Sequence, residues 1–139
     1  MEGLGVAASA IAVIELSAKI ASLCMQYSVA VKHAKADIER LRKEVDSVTN
    51  LLQDAETLIK TADNQLPTST KLQPAFSDCL VQLSAVSDKL EPGKRQKIMS
   101  TIGVRALKWP FQSKEIQTVI GNLERFKDTI SLALQVDQA

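Results

Sequence analysis

Few side chains in this sequence are of a type that does chemistry, and none is spaced to do it. The single histidine, His33, lies at an expected helix end between Lys32 and Lys35. That is the place of a solvated terminal residue rather than a general base. Two cysteines, Cys24 and Cys79, stand inside apolar helical patterns. Buried, reduced thiols of an intracellular protein fit that setting better than a disulfide framework. Gly3 and Gly5 have neither the preceding strand nor the following lysine of a phosphate-binding loop. Ser and Thr are frequent but have no partner base. Cys, His, Asp and Glu show no metal-ligand spacing. The expectation is a protein that is not an enzyme and holds no cofactor or metal.

The most informative surface is the stretch 3–31, in which only Glu15 and Lys19 carry charge. They lie four residues apart with the acid first, the favourable order for an ion pair on a helix. At about 100° per residue the polar groups Glu15, Lys19, Ser22, Gln26 and His33 form one narrow stripe, extended upstream by Ala8 and Ala12. A helix otherwise so apolar is expected in the middle of something, a protein core or a lipid phase. It is a poor constitutive anchor. A spanning helix needs roughly 20 apolar residues, and each central charge costs about 2.5–3.5 kcal/mol on insertion. A secretory signal would want a basic region ahead of the apolar run, where only Glu2 is charged. As a core helix with latent membrane affinity, its insertion candidates are Leu4, Val6, Ala8, Ile11, Ala12 and Ile14.

The elements around it are also helical. No Gly or Pro occurs between Val6 and Leu66. Ile38, Leu41, Val45, Val48, Leu52, Ala55 and Ile59 follow the alternating three–four spacing of a bundle seam. The opposite face, with Glu39, Arg40, Arg42, Lys43, Glu44, Asp46 and Asp54, reads as solvated. One rod through both stretches could not bury its stripe in a compact monomer, so a tight break is expected at 33–37. Residues 62–69 read as a polar loop, followed by a capping box at Thr70–Gln73 with Pro74 in the first turn. Leu72, Phe76, Cys79, Leu83, Val86 and Leu90 line the next helix, which Pro92-Gly93 ends. Ser113 is a natural N-cap, with Glu115 in the first turn, for the last helix carrying Ile116, Val119, Leu123, Phe126, Ile130 and Ala133. The expected core is Val13, Ile20, Tyr27, Leu41, Val48, Phe76, Leu83, Leu123 and Phe126.

Between Pro92 and Lys114 there is no acid, while Lys94, Arg95, Lys97, Arg105 and Lys108 are all present. Lys94, Lys97, Arg105 and Lys108 share one helical face, and Trp109-Pro110-Phe111 follows. These cations and Trp109 are candidates for anionic lipid, in the manner of peripheral membrane helices. The plainer expectation is a bracing helix whose Trp and Phe plug the bundle end and whose cations are solvated. With 17 basic and 16 acidic residues the chain has no overall field for nucleic acid, and one basic stripe does not make such an interface. The expected fold class is all-α: a bundle of four long helices plus a short basic brace helix, in one domain over 1–139.

The opening Met1-Glu2-Gly3-Leu4-Gly5-Val6-Ala7-Ala8-Ser9-Ala10-Ile11-Ala12-Val13-Ile14-Glu15-Leu16 resembles the start of fungal HeLo-like N-terminal domains. So do Ala36-Asp37-Ile38-Glu39-Arg40-Leu41, Asn50-Leu51-Leu52-Gln53-Asp54-Ala55-Glu56, Lys89-Leu90-Glu91-Pro92-Gly93-Lys94, Arg105-Ala106-Leu107-Lys108-Trp109-Pro110-Phe111 and Ile130-Ser131-Leu132-Ala133-Leu134-Gln135. Such domains precede the nucleotide-binding module of STAND receptors, the relatives of immune NLR proteins. The resemblance implies a HeLo-like bundle at the N-terminus of a longer receptor. It further implies a cell-death effector, cytoplasmic until activation, that forms homo-oligomers and attacks the plasma membrane through its first helix. Its implied partners are itself, membrane lipids of anionic type and the nucleotide-binding module of its own chain. The alanine-rich character of the first helix and its internal Glu15 and Lys19 depart from the pattern and bear on lytic strength. The alternative is a non-lytic homotypic interaction module that relays receptor oligomerisation to another effector.

Overall fold

A computed structural model describes residues 6–63, 66–91 and 108–138. Among them every regular element is helical: α1 Val6–Ala30, α2 Lys35–Asp54, α3 Glu56–Asp63, α4 Leu66–Leu90 and α5 Ser113–Gln138. The four long helices form a square in which α1 touches α2 and α4, and α5 touches the same two from the opposite corner. The short α3 contacts all four of them. Cross-links give the directions. Tyr27 and Lys19 of α1 meet Leu90 and Glu91 at the end of α4, so these helices run parallel. Asp37 and Glu44 of α2 meet Ser113 and Lys127 of α5, another parallel pair. The basic brace helix falls on residues outside those described, except for Lys108, which stands in an irregular segment and not on a helix.

The apolar spacing accounts for the core. All nine expected core residues are buried, with Tyr27, Phe76, Ile20, Leu41, Leu83 and Leu123 among the largest fully enclosed side chains. Phe76 of α4 and Phe126 of α5 meet edge to face at 5.5 Å, the arrangement the ring quadrupole favours. The α1–α2 break comes at 31–34, slightly ahead of its expected place. It uses no side-chain cap: the Val31 N–H donates to the Tyr27 carbonyl at 2.8 Å, and Ala34 serves as N-cap.

Four local expectations are corrected. The helix seam of residues 38–59 is interrupted at Ala55, whose φ of −94° and ψ of 8° lie in the bridge region. Its backbone keeps helical hydrogen bonds on both sides, Ala55 N–H to Leu51 O and Ile59 N–H to Ala55 O. The apolar stripe therefore runs through the break, which is why spacing does not reveal it. Next, α4 begins at Leu66 rather than Thr70, with Pro67 in its first turn and Pro74 in its interior. Pro67 suits a helix start as well as it suits a loop, because an early N–H has no helical partner. Ser113 does not cap its own helix. Its hydroxyl donates to Asp37 Oδ2 at 2.6 Å, while Glu115 reaches back to the Gln112 N–H at 2.8 Å. Finally, Glu44 is not on a solvated face. Lys127 of α5 lies 2.9 Å from its carboxylate and 2.8 Å from Ser47 Oγ, joining two helices.

Candidate functional site

The fold places α1 at a corner of the bundle, so it has a lining and an outside. The lining consists of Val6, Ser9, Ala10, Val13, Ser17, Ile20, Leu23, Cys24 and Tyr27. Four of these, Ser9, Ala10, Ser17 and Cys24, are small or polar. The fully buried Ser17 hydroxyl has no hydrogen-bond partner, a deficit of about 1–3 kcal/mol. Burial alone pushes the Cys79 thiol up to about 12. Cys24 is likewise pushed up to about 12, chiefly by burial, with Arg42 opposing and Asp46 and Glu39 adding. Both thiols are therefore protonated and unreactive at neutral pH. They are free cysteines, as their setting in the sequence suggests.

The outside of α1 is where the sequence-predicted residues divide. Ala8, Glu15, Lys19, Ser22 and Gln26 are exposed as the stripe requires, with Ala12 half-buried. Lys19 pairs with Glu91 beyond the end of α4 at 2.9 Å, rather than closing on Glu15 within its own helix. Of the insertion candidates, Ile11 is 55% exposed, Ile14 is half-buried and Val6 is fully enclosed in the core. Leu4, Lys94, Arg95, Lys97 and Arg105 lie outside the described residues. Lys108 is exposed.

Residues not singled out from the sequence extend this surface. Met25 is 55% and Val29 83% exposed. With Ile11 they make three large apolar side chains on the outside of one helix. Their phase carried the signal: at about 100° per residue, Ile11 and Val29 sit about 40° to one side of Glu15. Beneath the first half of α1, an open groove of about 210 Å³ separates Ala10, Ile11 and Ile14 from Leu52, Ile59 and Lys60.

Trp109 sits apart from the outer face of α1, packed at the end of the bundle as the plainer expectation has it. It is 8% exposed, packed edge to face on Tyr27 at 5.3 Å and tilted against Phe111 at 5.4 Å. Lys89 Nζ lies 4.8 Å from the centre of the Phe111 ring and 2.8 Å from Glu115 Oε2. The hydrogen bond from Lys89, then that from the Gln112 N–H, holds the Glu115 carboxyl below the usual carboxylate range. Across this aromatic end the Tyr27 hydroxyl donates to the Leu90 carbonyl at 2.8 Å, satisfying one of the acceptors that a helix C-terminus leaves open.

Compared with protein-family models, with curated proteins and with solved structures, the chain matches none. Among the described residues no three His, Cys, Asp or Glu side chains are grouped to hold a metal ion. The chemically distinctive feature is α1, the one described helix long and apolar enough to cross a membrane.

Proposed function

We propose that this domain is a membrane-targeting effector of the HeLo-like kind, in which α1 exchanges its seat in the bundle for lipid when copies of the chain are brought together. The observation that carries this reading is the two-sidedness of α1. Its inner face seats Val6, Val13, Ile20, Leu23 and Tyr27 in the core together with the unsatisfied Ser17, and its outer face exposes Ile11, Met25 and Val29 to water. A helix apolar on both faces can exchange protein neighbours for lipid on the inside, and lipid takes up the outer apolar surface that the monomer leaves wet. The resemblance of the opening residues to HeLo-like domains supports the same reading. It extends it to a receptor whose nucleotide-binding module drives clustering at the plasma membrane.

The test uses dye release from vesicles containing anionic lipid, with the protein monomeric and forcibly clustered. A carboxylate at a lipid-embedded helix centre costs about 2.5–3.5 kcal/mol. Ala8 is exposed and Ala12 half-buried in the soluble fold. Ala8→Glu should therefore melt like the parent protein, and Ala12→Glu close to it, while both release dye roughly 60- to 300-fold less effectively. Full-strength release by both variants would remove α1 insertion from the mechanism. The non-lytic interaction module would then account for the exposed side chains as contacts with another copy.

A further inference from the structure

We propose that residues 108–111 form a latch, in which Trp109 gives up its seat on Tyr27 for the bilayer interface and thereby couples membrane contact to the release of α1. This rests on the reading of α1 as the membrane-active element. The seat is aromatic but incomplete. Trp109 is more than nine-tenths buried, yet among the described residues its indole Nε1–H has no hydrogen-bond partner. A buried donor left in that state gives back part of what ring packing supplies. Bilayer interfaces offer ester and phosphate oxygens to an indole N–H while keeping the ring in an apolar layer, which is why Trp collects there. The exposed Lys108 beside it is placed for an anionic headgroup.

The geometry gives the exchange a consequence. Residues 108–112 are not helical, so Trp109 can leave without breaking a helical ladder. What it uncovers is Tyr27, in the last turn of α1, whose hydroxyl bond to the Leu90 carbonyl is then open to competing water. A second polar tie at this end is the Lys19–Glu91 pair, whose side chains are 47% and 43% exposed. Pairs so exposed contribute little. Undocking of one ring thus loosens the C-terminal half of α1.

Trp109 is the chain's only tryptophan, so its own emission reads the latch in the unmodified protein. The experiment mixes the 139-residue protein with phosphatidylcholine–phosphatidylserine vesicles whose acyl chains carry bromine, following tryptophan quenching and dye escape together. The latch requires quenching by the brominated chains at the rate of dye escape or faster. Dye escape while Trp109 stays shielded, from bromine and from aqueous acrylamide alike, would overturn the latch and leave the role of α1 standing. Quenching without dye escape would overturn the coupling, and a protein that neither binds nor permeabilises the vesicles would overturn both.

Discussion

Two neighbouring helices of this bundle, α1 and α2, bury their seams against each other and are otherwise opposites. The buried face of α2 is Ile38, Leu41, Val45, Val48 and Leu52, every one branched. Its outer face is closed over by charge. Arg42 donates from Nε to Glu39 at 3.1 Å and from Nη1 to Asp46 at 3.0 Å, and that hydrogen bond holds the Glu39 carboxyl below the usual range. In α1 the buried face sets Val6, Val13, Ile20, Leu23 and Tyr27 among the smaller Ser9, Ala10, Ser17 and Cys24, while the outer face carries Ile11, Met25 and Val29. The two helices differ, then, in what covers their outer faces: ion pairs on α2, wet apolar side chains on α1.

The comparison breaks most sharply if the inner face of α1 is charged. Val13 is fully enclosed. An unpaired carboxylate there should cost about 3–5 kcal/mol, a large part of a total stability of about 5–15 kcal/mol. Val13→Glu is expected to melt far below the parent protein in a circular dichroism scan and to lose dye release with its fold. A normal melting temperature would mean that the inner face of α1 is not a seam at all.

Alkaline pH probes the same seam less severely. The folded protein holds the Cys24 and Cys79 thiols up to about 12, against an ordinary value of 9.0. A raised folded-state value stabilises fully below the unfolded value, and the stability is lost as pH rises from there towards the folded value. Urea midpoints should therefore fall above about pH 9, by about 1.4 kcal/mol per thiol for each pH unit. A Cys24→Ala/Cys79→Ala protein should start less stable and show a flatter decline. Identical pH slopes in the two proteins would show that the thiols are not shielded from water.

Tyr27→Phe tests the tie between α1 and α4. The change removes a buried donor and leaves the Leu90 carbonyl without its bond, at about 1–2 kcal/mol. The readouts are a lower melting temperature and dye release at a lower protein concentration. A less stable protein with unchanged release would separate grip from function.

The smallest effect is expected on the outer face of α2. Arg42→Ala undoes the Glu39 and Asp46 contacts, both on half-exposed side chains. Stability should drop slightly at low salt and converge with the parent in high salt, because such charges are screened. The Glu39 carboxyl lies below its ordinary 4.5, so this contribution is present above that value and lost as pH falls through the lower, folded-state one. A loss that persists in high salt would make α2 dependent on its charged face and erase much of its contrast with α1.

The sequence alone determined the inside of each helix. Spacing of three and four residues is a local property of helical geometry, so Ile38, Leu41 and Val45, or Leu72, Phe76 and Leu83, declare their buried side without reference to any partner. The thiols of Cys24 and Cys79 could be placed inside by the same reasoning, and the exposed stripe of Ala8, Glu15 and Ser22 by its converse. Tertiary structure decided which surface each helix met. Lys19 had an attractive partner four residues away and found Glu91 instead, because one exposed ion pair differs little in energy from another. The charged run of α2 looked uniformly solvated until α5 brought Lys127 to Glu44. Leu66-Pro67 is as consistent with a helix start as with a loop, and the choice fell with the packing of α4. The corner position of α1, which leaves Ile11 and Val29 wet, belongs to the arrangement of four helices around a square. Nothing local specifies it, since an apolar helix can be enclosed on every side or on one, and only the number and placement of its neighbours separate the two.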